Sequence, residues 1–263
     1  MDRRPNDRDP GPRYDEPSAL ARLIDGLARP ALIGLDVDGV LAPITHHADH
    51  AELVDGVGPL LARLADEPGA RWHVAVVSGR SLDDLHRFEF PPNVTVVGSH
   101  GMESHGVPLE LTASEATRLR SLTALGRQAV DAAGPGAWLE EKPASVAVHV
   151  RQAEGAAGRD ALAELAAAVT GVDGATAIAG SAVLELFVRE ASKGEALRAL
   201  RGRLGVARAV FVGDDVTDEA AFAVLEPGDV RIKVGDAETI AEHRLRDPAA
   251  VADFLELLSR TGG

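Results

Sequence analysis

The chain has 263 residues, 27 basic and 41 acidic, giving a formal charge of −14, and it contains no cysteine. Disulfides, zinc–thiolate sites and a cysteine nucleophile are thereby excluded, and the acidity disfavours nonspecific binding to nucleic acid or anionic membranes. Aromatics are too scarce for a base-stacking surface. No apolar run reaches bilayer length, and the polar, Pro-rich opening lacks the apolar centre of a signal peptide, so a cytoplasmic protein is expected.

Residues 1–17 carry charge and proline without periodicity, and a disordered tail is expected there. Leu20, Leu23, Ile24 and Leu27 then mark one face of a helix over Ala19–Ala28, which Pro30 ends. The apolar run Ala31–Leu35 is too short for a helix and stops at Asp36-Val37-Asp38-Gly39. It reads as a buried parallel strand, and ligands of open α/β sheets lie outside such carboxyl ends. Two carboxylates held this close repel each other, so a cation such as Mg²⁺ is the natural third member. Taken alone, an acidic turn accounts for the stretch equally well.

A helix follows over Gly58–Asp66, burying Leu60, Leu61 and Leu64. The loop pair His46-His47 reads as surface, because adjacent positions rarely converge on one ion. The next strand, Trp72–Val77, ends in Ser78-Gly79-Arg80 before a helix opening at Ser81. A hydroxyl and free amides at a helix start suit an anion, although capping by Ser81 with Asp83 and Asp84 is the simpler account. A third strand, Val94–Val97, runs into Gly98-Ser99-His100-Gly101.

From about Thr112 the pattern changes. A long helix over Thr112–Ala133 precedes Ala137–Pro143 and the alternating strand Ser145–Arg151. Counting by twos puts Val146, Val148 and Val150 on the core face, with Ser145, Ala147, His149 and Arg151 opposite. A helix over Ala156–Val169 and two strands, Ala175–Ala179 and Ala182–Val188, turning at Gly180-Ser181, complete a separate α+β module over 104–188. By themselves its charged residues Glu140, Lys142, His149, Arg151 and Glu185 read as solvated surface. The parallel pattern then resumes over 189–263. Lys193 opens a helix with Ala196, Leu197, Leu200 and Leu204 as its stripe, and strand Ala209–Val212 ends in Gly213-Asp214-Asp215-Val216-Thr217-Asp218-Glu219. A short strand over Arg231–Val234 and a helix over Pro248–Leu258 close the chain.

Asp36-Val-Asp38-Gly39, Ser78-Gly79-Arg80, Lys193 and Gly213-Asp-Asp-Val-Thr-Asp218, in that order and each at a strand end or helix start, resemble the motifs of the haloacid dehalogenase superfamily. Within it, Glu140-x-Lys142 with Ser145, His149 and Arg151, Leu41-Ala42-Pro43-Ile44, Ser99-His100-Gly101 and the Asp-Asp-x-Thr-Asp-Glu wording look like the trehalose-6-phosphate phosphatase family. The resemblance runs from about residue 20 to the C-terminus. It implies a Rossmann-like α/β parallel-sheet core over 18–103 and 189–263, with the α+β module as an inserted cap.

The resemblance further implies Mg²⁺-dependent hydrolysis of trehalose 6-phosphate in trehalose biosynthesis, through an aspartyl-phosphate on Asp36. Asp38 is then general acid and base, and Ser78 and Lys193 hold the phosphoryl group. Asp36, Asp38 through its carbonyl, and Asp214 are the implied metal ligands, with Asp215 and Asp218 orienting them. Gly79, Arg80, His100, Glu140, Lys142, His149, Arg151 and Glu185 are the implied substrate contacts. A small sugar phosphate is the expected partner, with no nucleic acid or membrane, and a monomer is expected. Val40 stands where the family usually has Thr, which costs at most an auxiliary hydrogen bond of about 0.5–1.5 kcal/mol. A related phosphatase for another sugar phosphate, or a binding protein without turnover, remains the alternative.

Overall fold

The computed structural model describes residues 12–45, 50–66, 71–153 and 155–261. The His46-His47 pair and most of the expected tail lie outside the described residues. In chain order the elements are α1 Pro17–Asp25, β1 Ala31–Leu35, α2 Val57–Ala65, β2 Trp72–Val77, α3 Leu82–His86, β3 Thr95–Gly98, β4 Glu103–Ser104, α4 Ala113–Ala133, β5 Trp138–Glu141 and β6 Ser145–His149. They continue as α5 Ala157–Val169, β7 Thr176–Gly180, β8 Val183–Phe187, α6 Lys193–Leu204, β9 Arg208–Gly213, α7 Val216–Val224, β10 Val230–Val234, β11 His243–Leu245 and α8 Pro248–Leu258. Helix α1 starts at Pro17, inside the stretch read as tail, because proline is tolerated in a first helical turn, where its missing N–H costs nothing.

The chain divides into two compact units. The first is drawn from the stretch ending at Ser78, from Leu85–Val96 and from Lys193 onward. Gly79–Asp84 and Val97–Ser192 make the second, which is wider than the insertion read over 104–188.

In the first unit strands β11-β10-β9-β1-β2 are hydrogen-bonded in that order, each pair parallel. Every residue of β1 is buried, as a strand flanked on both sides and covered on both faces must be. Leu35 pairs with Val76 of β2 and with Val212 of β9. This register brings Asp36, Ser78 and Asp214 to the same carboxyl rim. Helices α1, α2 and α8 pack as one group and α6 with α7 as another. No helix among the described residues is long and apolar enough to cross a membrane.

The second unit carries an antiparallel sheet in the order β5-β6-β8-β7. Val146, Val148, Leu184 and Leu186 join Leu122 of α4 and Leu165 of α5 in its core, the face that alternation assigns to the valines. The β7–β8 turn is made by Ser181 and Ala182, not Gly180-Ser181: Gly180 still pairs with Val183, and Ala182 takes the left-handed conformation (φ 60°). Strands β4 and β11 have two and three residues, too few for periodicity to reveal.

Candidate active site

Asp36 leaves β1 buried, its backbone N–H bonded to the carbonyl of Val212. One side-chain oxygen, Oδ1, accepts from Val37 N–H at 2.7 Å, and the other, Oδ2, accepts from Lys193 Nζ at 2.6 Å. Lys193 is the first residue of α6 and is 2% exposed. Its ammonium also donates to Asp218 Oδ1 at 2.8 Å. The remaining oxygen of Asp218 accepts the backbone N–H groups of Asp214 and Asp215 at 2.8 and 2.9 Å. Asp215 in turn caps α7 by accepting from Val216 N–H.

Two glycines make this packing possible. A Cβ on Gly39, whose φ is +73°, would lie 2.0 Å from Asp214 Oδ2, and one on Gly213 would lie 2.3 Å from Asp218 Cγ. Asp38 precedes Gly39 in the tight turn that closes through the Val37 carbonyl, and its side chain is half-buried. Ser78 is buried at the end of β2.

Asp36, Asp214 and Asp218 each offer a carboxylate oxygen within 4.8 Å of the others. Burial pushes the Asp36 carboxyl well above the ordinary carboxylate range, even against the attraction of Lys193. Burial, followed by the charge on Asp218, pushes Asp214 up to about 7. For Lys193 burial works against the charge, but Asp36 and Asp218 more than offset it and raise its pKa. The cluster is therefore short of positive charge, and its donors are hard oxygens, which fits a small divalent cation. Asp218 is the most enclosed of the three, its side chain 0% exposed and its oxygens bonded to Lys193 and two backbone amides, whereas the Asp36 side chain, also bonded through both oxygens, keeps 6% exposure. Asp36 and Asp214 are the carboxylates left to face an ion.

The second unit gathers another polar group on the sheet face opposite the one that carries Val146 and Val148. Glu140 and Glu185 both sit beside Ala147 in the register. Glu185 Oε1 accepts from Lys142 Nζ at 3.0 Å and from Ser145 Oγ at 2.6 Å. Lys142 also lies 3.8 Å from Glu140, whose other oxygen is 2.8 Å from His149 Nε2. The hydrogen bond from His149, assisted by Lys142, holds the Glu140 carboxyl below its usual range. Glu185 is buried and the Lys142 side chain nearly so, which corrects the solvated-surface reading for these two, bonded as they are to each other, while Glu140 and His149 are half-buried. Arg151 is exposed in the turn beyond β6. Gly79 lies under the His100 ring, since a Cβ there would come 2.6 Å from Nε2. His100 meets Phe187 edge-on, and the carbonyl of Arg80 accepts from Ser99 N–H.

Sequence reasoning passed over two side chains. Trp138 stacks flat on His149, with ring centroids 4.5 Å apart, and is 42% exposed; its signal was its place two residues before Glu140 on one strand face. Lys233 is fully buried in β10, and a charge between Ile232 and Val234 was the available clue.

A parallel sheet whose central strand ends in a buried carboxylate paired to a helix-borne lysine, with an α+β unit inserted in the chain, defines a haloacid dehalogenase-like core with a cap. A Bacteroides thetaiotaomicron phosphatase of that superfamily shares the fold at TM-score 0.61 and 16% identity, over 88% of this chain and 97% of that one. Within the class, the chain belongs to the trehalose-phosphatase family, whose sequence model matches residues 34–249. A trehalose-phosphate phosphatase from Mycobacterium avium is 35% identical over 274 residues, covering 93% of this chain and 66% of that protein. The present chain thus spans about two thirds of the length of that relative. A solved trehalose-6-phosphate phosphatase related protein superposes with TM-score 0.69 at 28% identity, over 88% of this chain and 98% of that one.

Proposed function

We propose that this chain hydrolyses trehalose 6-phosphate to trehalose and inorganic phosphate, as a cytoplasmic step of trehalose biosynthesis. The observation that carries the reading is the buried Asp36 carboxylate at the end of β1, fixed by Lys193 at 2.6 Å and faced by Asp214.

In this mechanism a carboxylate oxygen of Asp36 attacks phosphorus in line, and the bond from phosphorus to the sugar oxygen breaks as the aspartyl-phosphate forms. Asp38 gives its proton to the departing sugar oxygen. It then takes one from the water that attacks phosphorus, and the bond to Asp36 breaks to release phosphate. Ser78 and Lys193 hold the phosphoryl oxygens, where fixed donors count for most as charge develops. Asp36, the carbonyl of Asp38 and Asp214 would hold a divalent cation, Mg²⁺ in this reading, which supplies neutralisation of the substrate dianion. Asp218 and Asp215 orient Lys193 and the Asp214 backbone.

In the second unit Glu140, Lys142 and Glu185 bind sugar hydroxyls, with His149, Arg151, His100, Arg80 and Gly79 as further substrate contacts. Groups built to bond hydroxyls reject substrates lacking them, because buried polar atoms would go unpaired.

The test is phosphate release from trehalose 6-phosphate beside glucose 6-phosphate and sucrose 6-phosphate, with Mg²⁺ and with excess chelator. Chelator-sensitive preference for trehalose 6-phosphate, abolished by Asp36→Asn, is expected. Preference for another sugar phosphate would keep the chemistry and discard the substrate. No release from any ester would discard both.

A further inference from the structure

Lys233 is the one side chain among the buried charges described above to which the proposed chemistry gives no role. It is 1% exposed, and its register partner in the sheet is Gly213, the residue before Asp214. Its ammonium donates to the carbonyl oxygen of Asp215 at 3.3 Å and to Glu219 Oε1 at 3.4 Å. The second oxygen of Glu219 accepts the Ile240 N–H at 3.0 Å. One short chain of contacts therefore links the strand beneath, the Asp214–Asp218 turn above it and the segment following β10.

Burying an ammonium is costly, and bonds of this length recover less than short ones do. Ile232 and Val234 alternate onto the other face of the strand, while Arg231 shares the face of Lys233, and of the pair only Lys233 is fully buried. A methionine or leucine would be the cheaper choice for packing alone, so the charge needs a reason beyond the core. Its partner gives one: it grips a backbone carbonyl within the loop that presents Asp214, while Asp218 grips the amides of that same loop.

We propose that Lys233 is a positioning residue which, with Glu219, holds the Asp214–Asp215 backbone so that the Asp214 carboxylate faces Asp36. The loop-holding part stands on its own; the consequence for cation binding rests on reading the carboxylate cluster as a divalent-cation site.

The experiment uses the full chain carrying Lys233→Met, checked for folding by circular dichroism, with hydrogen exchange over 213–219 and calorimetric titration with Mn²⁺ alone. Faster exchange of the Asp214 and Asp215 amides is expected, because their bonds to Asp218 open more often. Mn²⁺ affinity should fall about tenfold, the usual loss when a residue behind a ligand is removed. Simple Coulomb repulsion predicts the opposite sign, since removing a nearby positive charge tightens cation binding. Unchanged exchange, or unchanged or tighter Mn²⁺ binding, in a folded variant overturns the proposal. Glu219→Gln is the second variant, expected to move both readouts the same way by less, and it decides the matter if Lys233→Met does not fold. If the unaltered chain takes up no Mn²⁺, the cation reading fails and exchange alone judges Lys233.

Discussion

Asp218 and Asp214 stand four residues apart in one motif, yet their surroundings give them different work. Asp218 is 0% exposed and spends its oxygens on Lys193 and two backbone amides. Asp214 has its carboxyl pushed up to about 7 by burial and by that neighbouring charge, which marks it as the group short of a positive partner. Replacing Asp218 by Asn keeps the shape, but its one carbonyl oxygen cannot serve both the amides and the ammonium, and its NH₂ would face Lys193 donor to donor. Asp218→Asn should lower kcat by about 10–100-fold, the range for residues that orient a site. Steady-state phosphate release with a melting curve on the same sample checks this, and full activity would place Asp218 outside the machinery.

At the scale of elements, each unit is set by local devices that sequence rules describe. Helix α4 begins with a capping box: Thr112 Oγ1 accepts from Glu115 N–H at 3.2 Å, and Glu115 Oε2 accepts from Thr112 N–H at 2.8 Å. Arg189 adds an ion pair to the other oxygen of Glu115 at 3.1 Å. Thr112→Ala should destabilise the unit by about 1 kcal/mol, read from a denaturant melt.

The bonds from Thr112 hold the Glu115 carboxyl below its ordinary range, with Arg189 assisting. A depressed carboxyl contributes stability that is complete above the unfolded value of about 4.3 and is lost as pH falls through the folded value. Acid titration of unfolding should therefore show a loss below about pH 4.3 that is smaller in Glu115→Gln. An identical acid limb in both proteins would remove Glu115 as its source.

For the molecule as a whole, under the proposed function the carboxylates and lysine of the first unit serve the phosphate and the bonded polar residues of the second serve the sugar. Glu185→Gln tests the division, because it keeps the volume beside Lys142 and Ser145 while removing the charge. It should impair turnover of trehalose 6-phosphate while leaving a generic aryl phosphate nearly unaffected. Equal losses on both substrates would refute a sugar-reading role.

What the sequence determined by itself was the kind of strand and what ended it. An apolar run too short for a helix had to be a buried strand, and the residues that interrupted it, Asp36, Ser78 and Asp214, had to lie at one rim once the strands were parallel. Alternation in β6 likewise dictated which face held Val146 and Val148. Only the tertiary structure decided which charges are spent and which are free. Lys193 meets Asp36 across 157 positions of sequence and Lys142 meets Glu185 across 43. No local pattern encodes such pairs, because periodicity assigns a side chain to a face, whereas its pKa and role follow from whatever distant segment is folded against that face.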